Sequence, residues 1–172
     1  SRIALLKNTK KDLLLLEDDF KIVNKNKFEK EIEILHEHSS EFDLAVFGAR
    51  IISGKMPMQK VEFLPEGWYY FDFYEFIMTH CVYYSKAGRQ KVGKFLKQNP
   101  LSMQIDGYYS SLAKQRKLII LLQLEKTTVH QDMHTSSIQN DDCYLCDHPP
   151  SRKNLVYSNQ KLATIVIPIV IS

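Results

Sequence analysis

Cysteine is scarce, with three in 172 residues. That is too few for a disulfide framework, so the chain is expected in a reducing compartment or at least without dependence on bridges. A charge excess is also missing. Lys and Arg total 23 against 20 Asp and Glu, a net charge of +3, without the concentrated basic clusters of a nucleic-acid binder. Long apolar runs are absent too. The longest lie at 13–16, 118–124 and 162–171, well short of the ~20 residues needed to cross a bilayer. No basic head, apolar middle and small-residue exit marks a leader. The chain opens Ser1-Arg2-Ile3 without Met, and the expectation is a fragment whose amino-terminal segment is missing. A cytoplasmic location follows, or the lumen of the endoplasmic reticulum if a full-length protein carries an upstream signal.

What is present is ordinary for a globular protein. Hydrophobic residues make up 44% and charged residues 25%, which argues against disordered, collagen-like or coiled-coil chains. A chain of this length folds as one domain burying roughly 70% of its unfolded surface. Residues 1–11 read as the last turns of a helix ending in a basic cluster. Residues 13–16, four consecutive leucines, read as a strand covered on both faces, as in a parallel sheet. Between 26 and 39, Phe28, Ile32 and Leu35 fall at helical spacing, with Glu29, Glu31 and Glu33 expected outside. Residues 42–47 form a second strand ended by Gly48, and 51–76 a long loop with at most short strands. A third strand is expected at 79–84, then a helix capped by Ser85 and running to about Gln98. A further helix covers 104–115, starting near Asp106, and a fourth strand 118–124. The polar stretch after Glu125 shows no core, and 162–171 is one last strand-like run. Strands alternating with helices suggest an α/β fold.

The sharpest break in composition is Glu17-Asp18-Asp19, directly after the leucine run. In open α/β sheets ligands bind beyond the carboxyl ends of strands. Three acids crowded there repel one another unless a positive partner is near. Hard divalent cations favour carboxylate oxygens and typically add phosphate oxygens from a substrate. A metal-bridged nucleotide diphosphate is therefore one reading, and a solvated acidic turn is the other. Arg50, just past Gly48 at a strand end, suits a bidentate phosphate contact.

The order of motifs adds to this. Leu-Leu-Leu-Leu-Glu-Asp-Asp-Phe at 13–20 resembles the strand and acidic motif of glycosyltransferase family 25, the lipopolysaccharide-type hexosyltransferases related to the collagen galactosyltransferases. Asp43-Leu44-Ala45-Val46-Phe47-Gly48 is similar to that family's next strand segment. The Thr79–Gly88 stretch resembles its strand-to-helix entry, and Pro100, Ile105 and Asp106 resemble its Pro, apolar residue and helix-opening Asp. Ser137-Ile138 matches the end of its later polar segment. The resemblance spans 1–140, with 141–172 as a carboxyl-terminal extension. Only Ser1, followed by Arg2, stands where the family carries a Ser-His pair, and the family's first nucleotide-binding strand and helix have no counterpart.

This resemblance implies a GT-A-like, Rossmann-like mixed sheet flanked by helices, lacking its first strand. It implies Mn²⁺ or Mg²⁺, a UDP-sugar donor carrying galactose or glucose, and inverting transfer to a glycan or a protein hydroxyl. The expected site follows from it. Asp19 contacts the metal, and Asp18 or Glu17 touches metal-bound water or the donor ribose. Asp106 acts as base, or serves as a helix N-cap, a position Asp favours. Of His130 and His134, four apart in the polar stretch, His134 is preferred as a late metal ligand; plain surface roles are the alternative. The corresponding alternative for the whole chain is a catalytically inactive, transferase-like domain that binds sugar or a partner, with homo-oligomers possible in either case.

Other groups invite less. Cys143 and Cys146 with His148 lack the second pair that a structural zinc site needs, and Pro149-Pro150 argues for a loop rather than a redox helix start. The aromatic stretch Trp68, Tyr69, Tyr70, Phe71, Phe73 and Tyr74 offers either a stacking wall for sugar or uracil, or core filling. His36 and His38, two apart on a helix, cannot share a face and are expected to be solvated.

Overall fold

A computed structural model describes residues 11–17, 20–53, 59–71, 75–98, 104–131 and 164–168. Its strands are β1 (Leu13–Glu17), β2 (Phe20–Ile22), β3 (Leu44–Val46), β4 (Arg50–Ser53), β5 (Trp68–Tyr70), β6 (Glu75–Ile77), β7 (Cys81–Tyr84), β8 (Ile120–Gln123), β9 (Val129–Gln131) and β10 (Thr164–Pro168). Three helices stand among the described residues: α1 (Lys25–Glu37), α2 (Lys86–Gln98) and α3 (Ile105–Lys114). The fold is mixed α/β, as expected. The helix tail expected at 1–11 lies almost wholly outside the described residues. None of the described helices is long and apolar enough to cross a membrane.

The main sheet has the order β10-β1-β7-β3-β8-β5, and two ribbons, β2-β9 and β4-β6, stand apart from it. Among the described residues, only β3 and β8 are parallel neighbours. The leucine strand corrects the parallel expectation, because β1 runs antiparallel to both β7 and β10. A buried apolar run reports that both faces are covered and carries no information on strand direction, which the connections set. Residues 164–168, in the segment read as an extension, thus pair with the first strand of the core.

Alternation along the strands divides the core into two. Leu13, Leu15, Leu44, Val46, Val82, Tyr84, Ile120 and Leu122 face α2 and α3, meeting Val92, Leu96, Tyr109 and Leu112. Leu14, Leu16, Ala45, Cys81, Tyr83 and Leu121 face the other way, onto Phe28 and Leu35 of α1. The result is a sheet between helical layers. Trp68 and Tyr69 are buried in these cores. The Trp68 ring meets Phe47 edge-on at 4.9 Å, so it is core filling rather than a sugar-stacking wall. Val129 is also fully buried, so the stretch after Glu125 does carry core, against expectation.

Helix starts follow their caps. The Lys27 N–H donates to Asn24 Oδ1 at 3.0 Å to open α1. The Gly88 N–H donates to Ser85 Oγ at 3.0 Å at the start of α2, as the sequence predicted. The start of α2 lies so close to β3 that a Cβ on Gly88 would stand 2.0 Å from the Asp43 carbonyl oxygen.

The amino edge of β1 is held by one carboxylate. Asp12 accepts from the Lys86 N–H at 2.7 Å, from the Tyr83 hydroxyl at 2.8 Å and pairs with His36 Nδ1 at 2.8 Å. His36 is therefore a fixed partner, although its side chain stays 42% exposed, in keeping with the solvated position expected. His38 likewise pairs with Glu41 and stacks on Phe63, ring centroids 4.3 Å apart. Apolar periodicity does not report carboxylates brought in from distant segments.

Candidate functional site

β1 is antiparallel to β7 and β7 to β3, so β1 and β3 point the same way and end on one edge of the sheet. Glu17, half-buried, ends β1 there, and its N–H donates to the His80 carbonyl at 2.8 Å. The Phe47 N–H, just past β3, donates to the Cys81 carbonyl at 3.0 Å. Residues 80–81 thus tie the two strand ends together. Gly48 follows with φ +62, and a Cβ on it would stand 2.5 Å from the Val129 carbonyl oxygen and 3.3 Å from His80 Nε2. Only glycine takes this backbone without strain while letting the His80 ring and β9 approach. The chain then enters β4 at Arg50, which is exposed.

Of the residues singled out from sequence, Glu17 ends β1 at the carboxyl edge, and Arg50 opens β4 of the separate β4-β6 ribbon, which follows β3 in the chain. Asp18, Asp19 and His134 lie outside the described residues, as do Cys143, Cys146, His148, Phe73 and Tyr74. Asp106 is the second residue of α3, not its N-cap, which is Gln104. Its carboxylate accepts from the Gly107 N–H at 2.8 Å and sits in the first turn, where the helix dipole favours negative charge.

The donor chemistry at this edge is hard oxygen. Among the described residues, no group of three His, Cys, Asp or Glu could hold a metal ion. Glu17 contributes one carboxylate at the strand tip, and Mg²⁺-type sites commonly need one or two, with water and substrate phosphate completing the shell. The residue types present at 17–19 fit such an ion.

Two features escaped sequence reasoning. His80, 1% exposed, stands between the ends of β1 and β3. The second is a buried polar network facing the end of β8. Glu31, expected outside, is 0% exposed. Its Oε1 accepts from Trp68 Nε1 at 3.1 Å and from Gln123 Nε2 at 2.9 Å. Its Oε2 accepts from Gln123 Nε2 at 3.0 Å and from the Thr128 hydroxyl at 2.7 Å. Lys27 Nζ lies 3.7 Å from Oε1. The signal was in the spacing. Glu31 is three residues after Phe28 and four before Leu35, inside the apolar stripe of α1.

Nearby phenols are pushed up. Tyr69 donates to Glu125 Oε2 at 3.1 Å; burial, then that carboxylate, raises its pKa above the ordinary 10.0. The Cys81 thiol lies well above its usual range because it is fully buried, with the charge of Glu31 adding to this. It is therefore a poor nucleophile and a poor metal ligand.

No family model matches the chain, and no curated protein matches it.

Proposed function

We propose that this chain is the core of a divalent-metal-dependent, inverting hexosyltransferase of GT-A-like fold. It would move galactose or glucose from a UDP-sugar to a glycan or protein hydroxyl. One observation carries the reading. β1 ends with Glu17 at the carboxyl edge of a mixed sheet, the edge where α/β sheets take up ligands, and Asp18 and Asp19 follow it in the sequence. The family 25 resemblance supplies the chemistry for it.

Asp19 and His134 would hold Mn²⁺ or Mg²⁺, with Asp18 or Glu17 on bound water or the donor ribose. The ion, when bound, supplies Lewis-acid stabilisation of the departing diphosphate. Arg50 would pair with a phosphate oxygen, its guanidinium matching that geometry. Asp106 would take the proton of the attacking acceptor hydroxyl.

A second reading, a transferase-like domain that binds without turnover, is favoured by one contact: the Asp106 carboxylate is engaged by the N–H of its own helix. Hydrolysis of UDP-galactose and UDP-glucose, assayed with and without Mn²⁺, separates the two. Metal-dependent release of UDP is expected for the transferase. Donor binding without release supports the binding domain, and neither binding nor release sinks both.

A further inference from the structure

The net charge of +3 hides an uneven distribution. Residues 76–124 carry eight Lys and Arg against a single acid, Asp106, while the rest of the chain holds fifteen basic and nineteen acidic residues. The fold gathers this basic stretch on one side of the main sheet, because α2 and α3 both pack on the face that carries Leu13, Leu15, Val82 and Tyr84. Helix α2 contains no acid. Its apolar positions Val92 and Leu96 turn inward, and Lys91, Lys94 and Lys97 are exposed on the outward arc. The segment after α3 joins them. Lys117 Nζ stands over the Phe95 ring at 5.7 Å. Asp43 Oδ2, buried between the two segments, accepts from Lys91 Nζ and from the Ile119 N–H, each at 2.9 Å. Arg116 and Lys117 are exposed, and so is the apolar Ile119, at 50%. Lys91 pairs with Asp43 and Lys114 with Glu75, while among the described residues no acid pairs with Lys94, Lys97, Arg116 or Lys117.

We propose that this face, the outward arc of α2 together with residues 116–119, docks the chain on an anionic lipid bilayer. The proposal goes beyond the sugar-transfer reading and does not depend on it. Lysines and arginines held near an anionic membrane surface each raise affinity by about fivefold. An exposed apolar side chain set among them enters the boundary between headgroups and acyl chains. The long lysine stems let the charges stay at headgroup level while Ile119 goes deeper. Nucleic acid fits this face less well. Arg116 is its one exposed arginine, so bidentate phosphate contacts are few. Base stacking needs open rings, whereas Tyr83, Tyr84 and Tyr109 are buried and Phe95 lies under Lys117. Helix α1, on the other face of the sheet, mixes Lys25, Lys27 and Lys30 with Glu29, Glu33 and Glu37 and offers no comparable field.

Co-sedimentation of the full chain with vesicles tests this, using phosphatidylcholine alone and an equal mixture of phosphatidylcholine and phosphatidylglycerol. Lys94→Gln with Lys97→Gln removes two charges from the face, and Ile119→Ser removes its apolar side chain. Lys25→Gln with Lys30→Gln takes the same charge from α1 and serves as the control. The wild type is expected to bind the mixed vesicles and not phosphatidylcholine alone. Binding falls at about 1 M salt, where charges act over only roughly 3 Å. The Lys94 and Lys97 double variant binds about 25-fold more weakly, Ile119→Ser is weakened several-fold, and the α1 variant matches the wild type. A wild type that ignores the mixed vesicles overturns the proposal, as does unchanged affinity in either variant of the face. An equal loss in the α1 variant also overturns it, since net charge alone then governs binding. Preference for a DNA duplex or polyglutamate over the mixed vesicles assigns the face to another polyanion and overturns it too.

Discussion

At the scale of single residues, the carboxyl edge depends on Gly48. Its φ of +62 and the 2.5 Å that would separate a Cβ from the Val129 carbonyl oxygen leave no room for a side chain. Gly48→Ala is expected to lower stability by about 1–3 kcal/mol from backbone strain, read as a drop in melting temperature. The Val129 contact adds to that cost. Tyr83 governs the opposite edge. Burial, then the hydrogen bond to Asp12 and the charge of that carboxylate, raise its phenol pKa far above the ordinary 10.0. The folded chain therefore keeps a proton that the unfolded chain releases as the pH passes about 10. Stability contributed by this group is complete below that pH and declines above it. Tyr83→Phe is expected to cost about 2 kcal/mol at neutral pH, the worth of a hydrogen bond to a charged group. That deficit should narrow in denaturant titrations above pH 10; a gap that stays constant would remove Tyr83 from the account.

At the scale of elements, the tightest junction is that of α2 with β3. The Gly88 N–H sits on Ser85 Oγ and its α-carbon packs on the Asp43 backbone, while Asp43 also pairs with Lys91 at 2.9 Å. Gly88→Ala forces the helix off the strand and is expected to cost about 1–3 kcal/mol, as overpacking does, with faster amide exchange at the first turn of α2. Strand and helix identities were legible in the sequence, because periodicity reports burial: β1, β3, β7 and β8 and all three helices fall inside the ranges read from it or within a residue of them. What was not legible is what long-range contact decides. Four buried leucines look the same beside parallel or antiparallel partners. His36 is a partly exposed residue whose pairing with Asp12, 24 positions away and 2.8 Å distant, no local pattern reports. Glu31 looks like one of three outward acids unless its place between Phe28 and Leu35 is given more weight than its charge. The N-cap alternative for Asp106 misses by two residues, Gln104 being the cap, because a helix boundary cannot be fixed to one residue from composition.

At the scale of the whole molecule, the sheet gathers the ends of β1 and β3 on one edge, and the β2-β9 ribbon begins at Phe20, three residues after β1 ends. Of the candidate site, the sequence made Glu17 legible, and it ends β1 on that edge. His80 escaped because its role depends on the register of β7 between two strands that are distant in the chain. The central claim is that the acids at the tip of β1 hold a divalent ion and through it a nucleotide diphosphate. Calorimetric titration of UDP into the wild type and Asp19→Ala, each with and without Mn²⁺, tests it most directly. The account predicts binding to the wild type that requires Mn²⁺, and its loss in Asp19→Ala at an unchanged melting temperature. Equal UDP affinity in the two proteins, or wild-type binding indifferent to Mn²⁺, would contradict it.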